Sequence, residues 1–260
     1  MSTETYVSGT AAIAGRTSAR RRMDPMRKTS LAAGILYLVT FVSMPTLALY
    51  KPVKDHVATF ILGAGSDTGV LWGALSELVV GLAGIGTAVV LYPVTRRINR
   101  TAALGFVAVR ILEAGLIFVG VISVLTIVTL RTDVAGTAGV DTSSLVTTGH
   151  GLVATYNRTF QVSQSLMPVG NDLLLGYLLY RSGIVPRILP ILALIGAPML
   201  LASDIAIFFG AYDNLSPIAG VATAPVAVFE FALGVYLTVK GFKRTPSTVL
   251  SDRNGPDETT

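Results

Sequence analysis

The chain contains no cysteine. That excludes disulfides, thiolate nucleophiles and cysteine-ligated metals together. Histidine is almost as scarce. His56 and His150 are the only two, and both fall in or beside segments read as outer loops. Two loop histidines make a poor metal or haem site, so the sequence points to no cofactor. Charge is also short. Only 13% of the 260 residues are charged, against roughly a quarter in a soluble domain. Catalytic signatures are missing as well: there is no H-E-x-x-H, no G-x-S-x-G and no Walker loop. "GLAGIGTA" holds scattered glycines, but no strand precedes it and it sits in an apolar run.

What the chain has instead is long apolar segments, with 52% of its residues hydrophobic. A helix crossing the hydrocarbon core needs about 20 mostly apolar residues. Six stretches qualify: 31–49, 69–91, 102–130, 151–180, 188–212 and 218–239. They do not alternate as barrel strands do. The expected fold is therefore all-α, a polytopic integral membrane bundle of six transmembrane helices. Residues 29–244 form that domain. Residues 1–28 and 245–260 are read as disordered cytoplasmic tails, poor in large apolar groups to bury. The run "SLAAGILYLVTFVSMPTLALY" follows a basic region but is longer than a signal-peptide core, and no A-x-A site closes it. It is read as an uncleaved first span.

The net charge of +5 is unevenly placed. Arg16, Arg20, Arg21, Arg22, Arg27 and Lys28 precede the first span. Arg96, Arg97 and Arg100 lie between spans two and three, and Arg181 and Arg187 between four and five. Lys240, Lys243, Arg244 and Arg253 follow span six. The alternate loops hold only Lys51, Lys54 and Arg131. The positive-inside rule then puts both termini in the cytoplasm. The run "ARRRMDPMRK" suits anionic lipid headgroups. No basic face interleaved with aromatics follows, so nucleic acid is not an expected partner.

Charges inside an apolar span are expensive and call for a reason. Here they are Glu77, Arg110, Glu113, Arg158, Asp172, Asp204 and Glu230. Their helical neighbours predict which way they face. Gly69, Gly73, Glu77, Gly81, Gly84 and Ala88 form one stripe, whose small residues allow close helix approach. Ala219, Thr223, Ala227, Glu230 and Gly234 form another, and Ala193, Ala197 and Asp204 a third. Arg158, Gln161, Ser165, Pro168 and Asp172 share one face of an ideal helix, flanked by Gln164. That group is the strongest binding candidate on sequence grounds, because several polar types converge. Pro168 predicts a kink. Arg110 and Glu113, at i and i+3, are placed to pair with each other or to reach another helix. Five carboxyls stand against two arginines. The expectation is that one or more carboxyls stay protonated or bind a cation.

Three segments carry a family resemblance: "GILYLVTFVS", "LYPVTRRINRTAALGFVAVRILEAG" and "NDLLLGYLLYRSGIVPRILPILALIGAP". Over roughly residues 29 to 240 the chain resembles the domain of unknown function 4386 family of bacterial multi-pass membrane proteins. The resemblance implies a six-helix bundle in a bacterial inner membrane and no assigned activity. Arg110 and Glu113 match an R-x-x-E pattern in its third span, and Arg181 and Pro186 match a cytoplasmic turn. Three functions stay open. The first is binding or transport of a small molecule through the buried polar network, possible coupling to protons included. The second is a non-catalytic role as membrane partner or scaffold of another protein. The third and least supported is an intramembrane enzyme acting on lipid, with buried carboxyls as acid and base.

Overall fold

A computed structural model describes residues 23–41, 46–63, 65–214 and 216–243, and no strand occurs among them. Helix α1 (Pro25–Thr40) starts where the Asp24 carboxylate accepts the Met26 N–H and Pro25 supplies a preset φ. It thus begins inside the segment expected to be a disordered tail. Residues 1–22 and 244–260, with most of both tails, lie outside the described residues, as does Pro45.

Three short helices follow: α2 (Thr46–Leu49), α3 (Lys51–Asp55) and α4 (Val57–Leu62). Most of this stretch was expected to be an outer loop. The signal for helix was present, since Val53, Val57, Phe60 and Ile61 recur at helical spacing. They bury, with Tyr50, against Val124, Ile127, Leu145, Val153 and Tyr156. The long α5 (Thr68–Thr95) and α6 (Arg100–Thr129) come next. Asn99 caps α6 by accepting the Ala102 N–H. A π-helical turn, Leu130–Val134, prolongs α6.

Helix α7 (Thr142–Gln161) starts earlier than its polar sequence suggested. Residues 142–150 were expected to be loop. They are helical because Asp141 caps them and Leu145, Gly149, Val153 and Tyr156 bury one face. A second π-helical turn, Val162–Leu166, leads straight into α8 (Met167–Ser182). Gly183, at φ 63°, ends that rod in a left-handed conformation that glycine adopts without strain. Helices α9 (Ile188–Phe208) and α10 (Pro217–Val239) complete the described elements.

Six rods close into a ring, in the order α1, α5, α6, α7–α8, α9 and α10, and back to α1. At one end, the Arg27 guanidinium donates to the carbonyls of Leu237 (2.8 Å), Thr238 (2.6 Å) and Val239 (3.2 Å). These are carbonyls that the end of α10 leaves unpaired. Ser30 Oγ also donates to Leu237 at 2.7 Å. Glycine permits this closure. A Cβ on Gly34 would sit 2.6 Å from the Thr238 nitrogen, so α1 and α10 meet backbone to backbone.

Among the described residues, four helices rather than six are long and apolar enough to cross a membrane: Thr68–Thr95, Arg100–Val134, Ile188–Phe208 and Pro217–Val239. The two shortfalls have physical causes. Helix α1 has 16 residues, or about 24 Å at 1.5 Å each, less than the hydrocarbon thickness of about 30 Å. The α7–α8 rod is long enough but carries Arg158, Gln161, Gln164, Asn171 and Asp172 in its middle. The outside is apolar, and the inside is an apolar core with charged groups set into it. Trp72, Leu82, Ile111, Ile122, Ile195 and Val221 are exposed on the outside, while Glu77, Arg110, Glu113, Asn171, Asp172 and Asp204 are buried inside. Long apolar helices with a lipid-compatible exterior and a polar interior make the chain a membrane protein of helical class.

Candidate functional site

The centre of the ring is an arginine held by two carboxylates. Arg110, on the inner face of α6, donates from Nη1 to Glu113 at 3.0 and 3.3 Å. Its Nη2 donates to Glu230 on α10 at 2.6 Å. Both of the pairings open to Arg110 therefore form, one within its helix and one across the ring. The guanidinium also lies 5.6 Å from the Tyr37 ring centre and 5.8 Å from that of Phe106. Asn171 Nδ2, on α8, donates to Glu113 Oε2 at 2.7 Å. Asp172, the next residue, is fully buried and within electrostatic reach of Arg110, Glu113 and Glu230. Neither of its oxygens has a hydrogen-bond partner among the described residues, nor do Tyr37 Oη, Asn171 Oδ1 or Arg110 Nε. One guanidinium thus faces three carboxyl groups. Ionised together, they would leave two surplus negative charges in a low dielectric.

A cavity of about 150 Å³ opens beside this triad. Its wall takes residues from five rods: Thr40 and Phe41 at the end of α1, Val80, Gly81 and Gly84 on α5, and Arg110, Glu113, Ala114 and Ile117 on α6. Gln164 and Pro168 come from the α7–α8 rod, and Glu230 from α10. Gly84 contributes room. A Cβ there would be 3.9 Å from Arg110 Cδ, an ordinary contact.

Glu77 forms a second cluster that Gln164 joins to the cavity. Its carboxylate accepts from Tyr156 Oη at 3.0 Å, Gln164 Nε2 at 3.0 Å and Tyr50 Oη at 3.3 Å. The predicted glycine stripe explains how the tyrosine fits, since a Cβ on Gly73 would stand 2.5 Å from the Tyr50 ring. Tyr50 and Tyr156 meet edge to face at 5.2 Å. Lys54 Nζ caps the stack 5.2 Å above the Tyr156 ring. Burial pulls the Lys54 ammonium below its ordinary value, against the opposing effect of Asp55 and Glu77.

The group that sequence spacing placed on one face is split. Arg158 donates to Gln161 at 3.1 Å, and both border a separate hollow with Asp204, Phe208 and Phe209. Ser165 donates to Asp204. Gln164 turns to Glu77, and Asp172 is buried with no hydrogen-bond partner among the described residues. The cause is the π turn at 162–166. One extra residue in the turn rotates everything beyond it by about 100° relative to an unbroken α-helix. Pro168 sits two residues after that turn and cannot donate to the carbonyl of Gln164, which favours the break. Tyr37, Asn171, Tyr50 and Tyr156 went unnoticed as site residues. Only Asn171, polar in an apolar run, had a sequence signal. Of all the sequence candidates, the cavity brings together Arg110, Glu113, Gln164 and Glu230. Among the described residues no three histidine, aspartate or glutamate side chains are grouped to hold a metal ion.

The family model described as Domain of unknown function (DUF4386) matches residues 32–241, so the chain belongs to that family. No curated protein and no solved structure matches the chain.

Proposed function

We propose that this member of a family without an assigned activity binds a small polar molecule in the cavity beside Arg110 and carries it across a membrane. The single observation behind the reading is the cavity itself: about 150 Å³ inside the helix ring, walled by five rods and bordered by a buried arginine–dicarboxylate triad. Ligand cavities combine an apolar wall with a few convergent polar groups. Transporter sites lie at such depths between helices. The route continues outward through Gln164, Glu77 and Tyr156 to Lys54. That line of polar groups suits proton movement linked to the ligand.

The orientation belongs to the same proposal. Arg27, Lys28, Arg96, Arg97, Arg100, Arg181, Arg187, Lys240 and Lys243 gather at the end of the bundle where α1 begins and α10 finishes. The far end holds Lys51, Lys54 and Arg131. Such asymmetry supports a cytoplasmic location for the basic end, both termini included, in a bacterial inner membrane whose anionic headgroups the basic tail contacts.

The test is a thermal-shift screen of the full chain in detergent against small amines, acids, sugars and amino acids. Wild type is compared with Gly84→Leu, which fills the cavity. A compound that stabilises wild type but not Gly84→Leu is the expected result. A screen in which no compound separates the two proteins refutes the reading and leaves the scaffold role, tested by recovery of a stoichiometric partner from native membranes.

A further inference from the structure

The hydrogen-bonding capacity left over in the cavity defines what it can receive. Two of the three guanidinium nitrogens are already engaged. Arg110 Nη1 is shared by both oxygens of Glu113, and Nη2 is taken by Glu230 Oε1 at 2.6 Å. Arg110 Nε is buried without a partner. Gln164 Nε2 is taken by Glu77. The acceptors are not matched in the same way. Glu230 Oε2 and Gln164 Oε1 receive no hydrogen bond from the described residues, though both side chains line the cavity. Glu230 is also the least buried member of the triad, its side chain 16% exposed against 4% for Arg110.

An anionic ligand would meet surplus carboxyl oxygens and an arginine that already has two carboxylate partners. It would have to break an ion pair to bind. A cation carrying N–H donors meets, on Glu230 and Gln164, acceptors that no described residue fills, beside two carboxylates that share one guanidinium. The wall is largely apolar, with Val80, Ala114 and Ile117 in it, which indicates a cation that carries hydrocarbon. Phe41 adds an aromatic ring to the lining. Val80 and Ile117 supply apolar wall for a hydrocarbon stem.

We infer that the cavity receives a small alkylammonium ion, its ammonium on Glu230 Oε2 and its short stem against Val80 and Ile117. This rests on the reading of the cavity as the ligand site and adds the class of ligand.

The experiment uses the purified full chain in detergent with three probes of similar size: n-butylammonium, pentanoate and 1-butanol. Unfolding temperature is followed against probe concentration. Stabilisation grows with the logarithm of ligand over Kd, so the series yields an affinity. The expected result is a rise with n-butylammonium alone that follows this logarithm, absent in Gly84→Leu and with the affinity weakened at least tenfold in Glu230→Gln. Glu230→Asp keeps the charge and is expected to retain measurable binding. It keeps the test decisive if the glutamine variant fails to fold.

Pentanoate binding in preference to n-butylammonium overturns the ligand class while leaving the cavity as a binding site. An equal response in wild type and Gly84→Leu places the amine elsewhere and overturns the inference. No response to any of the three also overturns it. The broader screen of wild type against Gly84→Leu then decides separately whether the cavity binds anything.

Discussion

Replacing Arg110 with methionine separates an ionic centre from one that is neutral in practice. The guanidinium is 4% exposed, and Glu113 and Glu230 are 11% and 16% exposed at their side chains. Methionine keeps much of the volume but leaves both carboxylates without their partner. Breaking a buried ion pair from one side costs roughly 3–5 kcal/mol. An independent bound comes from proton uptake. A carboxylate with an ordinary pKa of about 4.3 can escape burial of its charge by taking a proton, at about 3.7 kcal/mol at pH 7. The two routes agree on a loss of about 4 kcal/mol for the first carboxylate alone. The triple variant Arg110→Met, Glu113→Gln, Glu230→Gln removes all three charges and should recover most of that loss, because neutral groups of similar shape can replace a buried ionic cluster at little net cost. Unfolding in a denaturing detergent, with midpoint and slope fitted for each variant, gives the comparison. If Arg110→Met stays within about 1 kcal/mol of wild type, or the triple variant is no more stable than the single one, the charges are not compensating each other as the geometry requires.

Two glycines on one stripe should respond oppositely to alanine. Gly84→Ala meets only an ordinary contact at 3.9 Å and should be neutral or stabilising by up to about 1 kcal/mol from helix propensity. Gly73→Ala would drive its methyl to 2.5 Å from a Tyr50 ring tied to Glu77 and should lose about 1–3 kcal/mol. Thermal unfolding of the pair checks both, and equal effects would count against the packing described. Tyr156→Phe removes the 3.0 Å donor to Glu77. It should cost about 1.5–3 kcal/mol, as for bonds to charged groups, and more than Tyr50→Phe, whose bond is 3.3 Å. Asp141 is held below its ordinary value of 3.8 by the Ser143 hydroxyl and amide. Its cap on α7 is therefore fully present above that pH and is lost as pH falls through the lower folded value. Lower amide protection, relative to the intrinsic exchange rate at each pH, in the first turn of α7 only below about pH 3.8 is the expected result, and a pH-independent protection factor would contradict it.

Much of the bundle could be read from the sequence because a bilayer leaves few options. Arg110 and Glu113 lie three apart on a helix, so one face had to hold both. Glu230 lay on a stripe of small residues expected to face a neighbour, and the structure joins it to Glu113 through Arg110. The glycines around Glu77 marked a close approach that Tyr50 fills. What could not be read depended on register and on distant packing. The Arg158-to-Asp172 face assumed an unbroken 3.6-residue period, and the π turn at 162–166 removed that premise. The short helices over 46–62 look like loop by composition, and their buried face shows only at the spacing of Val53, Val57, Phe60 and Ile61. Tyr37 carries no local mark at all. Only the ring closure of α1 onto α5 and α10 brings it beside Arg110.

A purely structural role for the charged centre meets a difficulty of its own. A network kept only to fix helix packing gains most when every buried donor and acceptor is matched, since each unmatched group loses its water without replacement. The cluster around Glu77 has that character, with three donors on one carboxylate. The cluster around Arg110 does not. Among the described residues, both Asp172 oxygens and the Asn171 carbonyl oxygen are buried and unmatched, near a cavity where Glu230 Oε2 accepts from none of them. The two clusters lie in one ring and are linked through Gln164. The outer cluster is matched as a packing contact is, whereas the inner one keeps the hydrogen-bonding capacity that the proposed ligand would use.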